Sequence, residues 1–253
     1  MKQHIPNFIT LLNLFSGCLA VIFAVQNSLD LAALFVGLGI FFDFLDGLAA
    51  RVLQVKSEIG VQLDSLADMV TSGLVPGIVL FQLFNMSQTG GWSDGLSNFG
   101  ILDFMNSNNL SFYPISLIGF LITLSSAVRL AKFNIDEDQV DSFIGLPTPA
   151  NALLILSLPL ILLYHNNDAL NDIILNEWFL LGIAFLSTFL LNAKIKLFAL
   201  KFKNWQFKGN EVRYLFLIGS IVLLFTLRFL AVPAIIAFYV LLSLVAGKGK
   251  EVA

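Results

Sequence analysis

The chain has 253 residues, of which 57% are hydrophobic and 12% charged, and its mean hydropathy is +0.86. Soluble domains usually carry about a quarter charged residues, so this composition predicts a protein embedded in a lipid bilayer. Twenty-five Phe against 14 Lys and Arg exclude a disordered chain and argue against a nucleic-acid partner. The single cysteine excludes an internal disulfide and a Cys-based zinc cluster.

Apolar runs bounded by polar, Gly or Pro residues predict an all-α integral membrane protein with about eight transmembrane helices. In chain order these helices are Phe8-Val25, Leu29-Leu53, Val61-Phe84, Phe112-Phe133, Pro147-Tyr164, Glu177-Asn192, Glu211-Arg228 and Leu230-Ala246. Pro233 is the reason for dividing the last stretch, although a re-entrant hairpin over 211–246 stays open. No internal repeat is visible, so we expect one polytopic membrane domain over residues 1–253.

The basic residues predict the orientation in the membrane, because short cytoplasmic loops collect Lys and Arg. With Lys2 inside, 13 of the 14 basic residues fall in inner segments, and Arg228 is the exception. Both termini are therefore expected on the cytoplasmic side of a prokaryotic cytoplasmic membrane. The inner stretch 194–208 alternates lysines with Leu and aromatic residues, which predicts a juxtamembrane helix lying on the anionic inner leaflet.

Four aspartates fall within the second and third predicted helices: Asp43, Asp46, Asp64 and Asp68. An unpaired carboxylate at mid-helix opposes membrane insertion by about 2.5–3.5 kcal/mol, so four of them require compensation. Spacings of three and four residues place each pair on one helix face, and a short inner turn can bring the two faces together. Mg²⁺ or Mn²⁺ prefer oxygen ligands, and two such cations would neutralise four carboxylates.

A two-metal carboxylate site is suited to phosphoryl transfer, in which the cations stabilise the attacking and the leaving oxygens. Small residues beside the carboxylates would let a ligand approach the backbone. The alternative, in which these aspartates cap helices or pair with basic residues, leaves most of the charge uncompensated. The segment 43–68 is therefore the predicted catalytic motif.

The pattern Asp43-x2-Asp46-Gly47-x2-Ala50-Arg51-x8-Gly60-x3-Asp64-x3-Asp68 resembles the complete signature of the CDP-alcohol phosphotransferase family. The resemblance implies a membrane enzyme with a six-helix core, usually a homodimer, that displaces CMP from a CDP-linked lipid or alcohol. It also implies individual roles. Asp43, Asp46 and Asp64 are metal ligands, Asp68 is a ligand and the general base, and Gly47, Ala50, Arg51 and Gly60 contact the CDP moiety.

Two further segments resemble the branch of the family that uses serine as the acceptor alcohol. They are Ile5-Pro6-Asn7-Phe8-Ile9-Thr10-Leu11-Leu12-Asn13 and the stretch 129–150, which contains RLAKFN and FIGLPTPA. Asn7 and Thr10 share a face of the first helix with Asn13, where they either line the nucleotide phosphates or form bonds between helices.

The segment 129–150 is the predicted acceptor side of the site. A serine carboxylate requires a fixed cation, which Arg129 or Lys132 can supply, with Asn134 as a polar partner. The resemblance to the serine-using branch implies transfer of the phosphatidyl group from CDP-diacylglycerol to L-serine, with membrane lipids around the protein. Glycerol 3-phosphate or an inositol phosphate are alternative acceptors, although they would need more basic residues at the inner mouth. A cation-coupled transporter is an alternative of another class.

Overall fold

The computed structural model describes residues 4–55, 57–90, 113–135, 142–198, 206 and 210–248. Its α-helices are α1 His4–Val25, α2 Leu29–Leu53, α3 Glu58–Asp68, α4 Val75–Thr89, α5 Leu121–Ile135, α6 Thr148–Tyr164, α7 Asp168–Ile174, α8 Glu177–Asn192, α9 Glu211–Leu227 and α10 Ala231–Lys248. A π-helix, Met69–Leu74, joins α3 to α4, and 3₁₀ segments Pro114–Phe120 and Arg228–Leu230 precede α5 and α10. The strands are β1 Ser142–Ile144 and β2 Lys196–Phe198.

The prediction of an all-α membrane protein is confirmed, and each predicted helix is present. By length and hydropathy, five helical stretches of the described chain can cross a membrane, or six if the bent pair of α7 and α8 forms one span. The shorter apolar α6 is not among these five. The short helix α7, which lies in a predicted outer loop, was not expected.

The last apolar stretch folds back on itself as a helical hairpin. The ring of Phe216 on α9 lies 6.0 Å from that of Phe238 and 5.4 Å from that of Tyr239 on α10. These contacts place α9 and α10 side by side around the turn at Arg228–Leu230. The two helices have 17 and 18 residues, so each is about 26 Å long, close to the thickness of the hydrocarbon core.

Helix α4 is the centre of the bundle, because every residue from Val75 to Met86 is buried. A helix that is buried on all sides belongs in a core, and α1, α2, α5, α6 and α8 pack against it. The 3₁₀ segment Pro114–Phe120 lies directly on α4, since a Cβ atom at Gly119 would stand 2.6 Å from the backbone nitrogen of Phe81. Large side chains such as Phe15, Phe44 and Phe225 are exposed on the outside of the bundle, where lipid would cover them.

The prediction of a juxtamembrane helix over 194–208 is wrong for residues 194–198, and residues 199–205 and 207–209 lie outside the described residues. Residues 196–198 form β2, which pairs antiparallel with β1, and Leu197 is buried. Gly145 makes this arrangement possible with a φ of +73°, and its N–H donates to the carbonyl of Ile195 at 2.9 Å. Pairing with a distant segment therefore overrides the local amphipathic pattern.

Two contacts join distant segments beside the last two helices. A ring nitrogen of His165 at the end of α6 lies 3.2 Å from the carbonyl oxygen of Leu227. Midway along α10, the hydroxyl of Tyr239 donates to the carbonyl of Phe198 in β2 at 2.8 Å. The assignment of the β1 and β2 face to the cytoplasm stays a prediction.

Candidate active site

Three aspartates converge where α2 and α3 meet. Asp43 and Asp46 on α2 and Asp64 on α3 each place one carboxylate oxygen within 4.8 Å of the others. The short connection between the helices makes this possible. Gln54 ends α2 in the left-handed conformation with a φ of +53°, and the Ser57 side chain caps α3 by accepting from the Gly60 N–H at 3.2 Å.

Asp68 lies one helical turn beyond Asp64, outside this group of three. It is near enough to interact electrostatically with Asp43 and Asp64. The side-chain amide of Asn13 on α1 donates to its Oδ1 at 3.3 Å. The predicted cluster of four carboxylates is therefore arranged as three converging groups with the fourth beside them.

Helix α1 supplies the neutral groups that bond to two of the carboxylates. The hydroxyl of Thr10 donates to Oδ2 of Asp46 at 2.5 Å, and Asn13 bonds to Asp68 one turn further along the helix. The sequence left open whether these side chains contact phosphates or bond between helices; the structure contains the bonds between helices, and contact with phosphates stays a prediction. A neutral donor holds a carboxylate in place without cancelling its negative charge, so the charge of the site still has to be neutralised by cations.

The donor set fits a hard divalent cation. A Mg–O distance of about 2.1 Å puts ligands on opposite sides of the ion roughly 4.2 Å apart. Oxygens of Asp43, Asp46 and Asp64 that lie within 4.8 Å of one another can thus close on one ion by small side-chain rotations. Carboxylate oxygens favour Mg²⁺ and Mn²⁺ over softer metals.

A cavity of about 420 Å³ opens beside the carboxylates. Its lining consists of Pro6, Asn7, Thr10, Asp46, Gly47, Ala50, Val55, Ser57, Glu58, Gly60, Val61 and Asp64. Five of the six residues predicted to contact the CDP-lipid are in this list. The sixth, Arg51, stands next to Gly47, whose carbonyl accepts from the Arg51 Nε at 2.9 Å.

The two glycines of the motif, Gly60 and Gly47, differ in how much space there is for a side chain. A Cβ atom at Gly60 would stand 2.9 Å from Oδ1 of Asn7, so this position allows α1 and α3 to pack closely. A Cβ atom at Gly47 would meet only Nη2 of Arg51, at 3.9 Å. Packing within the described chain therefore leaves room for a methyl group at Gly47.

A second cavity, of about 620 Å³, lies beside the strands β1 and β2. Its lining residues are Arg129, Lys132, Phe133, Ile135, Ile144, Leu191, Asn192, Lys194 and Lys196. Sequence reasoning placed Lys194 and Lys196 on the membrane surface and missed this position, because strand pairing across 50 residues leaves no local signal. Four basic side chains around one cavity form a site suited to an anionic group.

The structure separates the two residues predicted to bind serine. An Nη atom of Arg129 lies 2.9 Å from the carbonyl oxygen of Ile144 and 3.4 Å from that of Leu191, at the edge of the basic cavity. Asn134 instead contacts α3, where its Oδ1 accepts from the Ser65 hydroxyl at 3.0 Å. Ser65 directly follows Asp64, so Asn134 belongs to the surroundings of the carboxylates rather than to those of Arg129.

The fold and the site together define an α-helical membrane protein with the carboxylates of one sequence motif gathered beside a cavity that the same motif lines. The family model for CDP-alcohol phosphatidyltransferases matches residues 3–190, and the chain belongs to this family. The prediction of a membrane-embedded transferase is thereby confirmed.

Several curated relatives carry the name CDP-diacylglycerol-serine O-phosphatidyltransferase. The protein from Bacillus subtilis is 32% identical over 151 residues, which cover 58% of this chain and 70% of the relative. The protein from Methanocaldococcus jannaschii is 33% identical over 151 residues, covering 60% and 58% respectively. A Helicobacter pylori protein is 30% identical over 152 residues, covering 59% of this chain and 54% of the relative. The chain thus spans little more than half the length of the last two.

Proposed function

We propose that this protein transfers the phosphatidyl group of CDP-diacylglycerol to the hydroxyl of L-serine, forming phosphatidylserine and releasing CMP. The observation that carries the proposal is the convergence of Asp43, Asp46 and Asp64 beside a cavity lined by the remaining motif residues. The names of the relatives support serine as the acceptor.

In this proposal the cytidine diphosphate group occupies the 420 Å³ cavity, while the acyl chains extend into lipid. Gly47, Ala50 and Gly60 let the ligand approach the backbone of α2 and α3, and Arg51 bonds to it from the rim. The four carboxylates would hold two divalent cations, Mg²⁺ or Mn²⁺, which supply charge neutralisation at the diphosphate.

Asp68 accepts the proton of the serine hydroxyl as the oxygen attacks the phosphorus that bears diacylglycerol. A new P–O bond to serine forms as the P–O bond to CMP breaks. CMP leaves with the electron pair of that bond, and the proton stays on Asp68 until it passes to solvent. Thr10 and Asn13 keep Asp46 and Asp68 oriented through this exchange.

The basic cavity is the proposed source of the cation for the serine carboxylate. Arg129 is anchored by two carbonyl groups, which leaves a preorganised guanidinium at the cavity wall. Asn134 approaches from the other side through Ser65 and provides a polar contact near the carboxylates.

The same cavity favours a second candidate, transfer to a phosphorylated alcohol. The sequence indicated few basic residues at this mouth outside the segment 194–208, but the fold brings Lys194 and Lys196 to the cavity that contains Arg129 and Lys132. Four cations suit the two negative charges of a phosphate monoester at least as well as a single carboxylate. Glycerol 3-phosphate and an inositol phosphate are therefore the acceptors against which serine must be compared.

The remaining expectations complete the proposal. We propose an active site on the cytoplasmic side of a prokaryotic membrane, a single membrane domain over 1–253 and a homodimer. These follow from the positive-inside pattern and from the family resemblance. The termini, residues 1–3 and 249–253, lie outside the described residues, as do residues 136–141 of the acceptor segment.

The test is release of CMP from CDP-diacylglycerol by purified protein in detergent with Mg²⁺ or Mn²⁺. Serine, glycerol 3-phosphate and an inositol phosphate are compared as acceptors, and the lipid product is identified by mass spectrometry. We expect serine-dependent CMP release and phosphatidylserine. Release with a phosphorylated acceptor alone would overturn the serine assignment, and absence of release with all three would overturn the proposed reaction.

A further inference from the structure

We propose that Asn13 is a positioning residue for Asp68, and that Thr71 of the π-helix sets the direction in which Asn13 points. This inference rests on the proposed function, in which Asp68 is a metal ligand and the general base. Neither Asn13 nor Thr71 belongs to the motif of residues 43–68, and both lie in the interior of the bundle.

A chain of hydrogen bonds connects the π-helix to Asp68. The Thr71 hydroxyl lies 2.9 Å from Oδ1 of Asn13, and the Asn13 side-chain nitrogen lies 3.3 Å from Oδ1 of Asp68. The exposed fraction of Asn13 is 0% and that of Thr71 is 1%. Bulk water therefore does not compete for the bond between Thr71 and Asn13, which carries more weight than it would at the surface, while the bond from Asn13 to Asp68 is partly buried.

An ionised Asp68 carboxylate only accepts, so the NH₂ end of the Asn13 carboxamide faces it, and the Thr71 hydroxyl stabilises this orientation by donating to Oδ1. A hydroxyl that donates to Oδ1 leaves the NH₂ group as the end that points elsewhere, and an NH₂ group can only donate. The reverse orientation would place an amide oxygen against a carboxylate, with two acceptors facing each other. The Thr71 bond thus favours the single orientation in which Asn13 can hold Asp68.

Two glycines create the space in which Thr71 is held. A Cβ atom at Gly17 of α1 would stand 2.5 Å from Oγ1 of Thr71, and one at Gly39 of α2 would stand 2.6 Å from its Cγ2. A Cβ atom at Gly39 would also stand 2.8 Å from Oδ1 of Asn13. The side chain of Thr71 therefore packs directly against α1 and α2, at the two positions where these helices carry a glycine.

The π-helix links the positions of Thr71 and Asp68. It begins at Met69, directly after Asp68, and runs to Leu74. A π turn holds an extra residue, so side chains that follow Asp68 point in directions that a regular α-helix would not give them. The segment that carries the proposed base thereby also carries the hydroxyl that orients its partner.

The experiment compares wild type with Thr71→Val, Asn13→Ala and the double variant in the CMP-release assay. We expect Thr71→Val to lower kcat about tenfold and to leave the KM for CDP-diacylglycerol within about twofold, because Thr71 is not among the residues that line the 420 Å³ cavity. Asn13→Ala should lower kcat at least as much. The double variant should be no worse than Asn13→Ala, because Thr71 acts through Asn13.

Three further measurements separate positioning from general damage. Thr71→Ser keeps the hydroxyl and should restore kcat to within about twofold of wild type. Thr123→Val makes the same change at a hydroxyl that donates to Gly73 of the π-helix at 3.0 Å, and it should behave as wild type. Mn²⁺ binding, followed by electron paramagnetic resonance without substrate, should weaken several-fold in Asn13→Ala.

Independent, additive losses from the two single variants would overturn the proposal. So would a Thr71→Val enzyme with wild-type kcat, or a loss in Thr123→Val equal to that in Thr71→Val. If Thr71→Val does not fold because valine does not fit beside Gly17 and Gly39, Asn13→Ala still tests the proposal, because it removes atoms without adding any. If the wild type releases no CMP with any acceptor, the proposed function fails, while weakened Mn²⁺ binding in Asn13→Ala still supports the positioning role.

Discussion

Replacing Gly47 with Ala should separate ligand binding from folding more sharply than any other change in the motif. The new Cβ atom would meet only Nη2 of Arg51, at 3.9 Å, which is an ordinary van der Waals contact. Gly47 lies inside α2, where alanine is about 0.5–1 kcal/mol more favourable than glycine. The protein should therefore be at least as stable as wild type.

The same methyl group would project into the cavity proposed for the CDP group. If the ligand approaches the backbone there, the added methyl forces it outward, and we expect the kcat/KM for CDP-diacylglycerol to fall at least about tenfold, or roughly 1.4 kcal/mol. CMP release at varied CDP-diacylglycerol concentration measures this loss, and the thermal unfolding midpoint in detergent measures stability.

Gly37→Ala is the matched control. Gly37 lies on the same helix, and a Cβ atom there would have nothing within 4 Å. The control should gain similar helix stability while keeping wild-type kinetics. Wild-type kcat/KM in Gly47→Ala would refute the placement of the nucleotide, and a lowered unfolding midpoint would refute the packing argument.

Three other predictions concern the carboxylates and Gly145, the residue that follows β1. Asp68→Asn should lower kcat by about 10²–10⁴-fold while CDP-lipid binding persists, because the amide keeps the shape but does not accept a proton; full activity would exclude Asp68 as the base. Asp43→Ala should abolish CMP release at every Mg²⁺ or Mn²⁺ concentration, whereas chelator-treated wild type should recover when either ion is added back. Gly145→Ala should destabilise the protein by about 1–3 kcal/mol, because φ is +73° and the new Cβ would stand 2.7 Å from the Leu191 carbonyl oxygen. An unchanged unfolding midpoint would contradict that reasoning.

The sequence was sufficient for the membrane class, the helices and the motif. An apolar run long enough to span a bilayer predicts a helix from neighbouring residues alone, because inside a bilayer the backbone groups of a single span must form hydrogen bonds within that span. The prediction for α2, from Leu29 to Leu53, matches the structure at both ends. The four aspartates could also be recognised from the sequence as site residues, because a charged side chain inside a membrane is energetically costly.

The roles of individual side chains needed the tertiary structure. Thr10 and Asn13 were ambiguous as residues of one helix, and only the approach of α1 to α2 and α3 made them donors to Asp46 and Asp68. Arg129 and Asn134 are five residues apart on α5, yet Arg129 contacts β1 and the end of α8 while Asn134 contacts α3.

The basic cavity and the π-helix show most clearly what local patterns omit. Lys194 and Lys196 have the spacing of a surface segment, but pairing of β2 with β1 turns this stretch toward Arg129. The π-helix after Asp68 has no signal in its residue types, and Thr71 fits there because Gly17 and Gly39 leave space on two other helices. Hydrophobicity and motif spacing are properties of neighbouring residues, so the sequence alone determined the helices and the reaction class. Cavity walls and hydrogen-bond partners come from segments far apart in the chain, and only packing decided them.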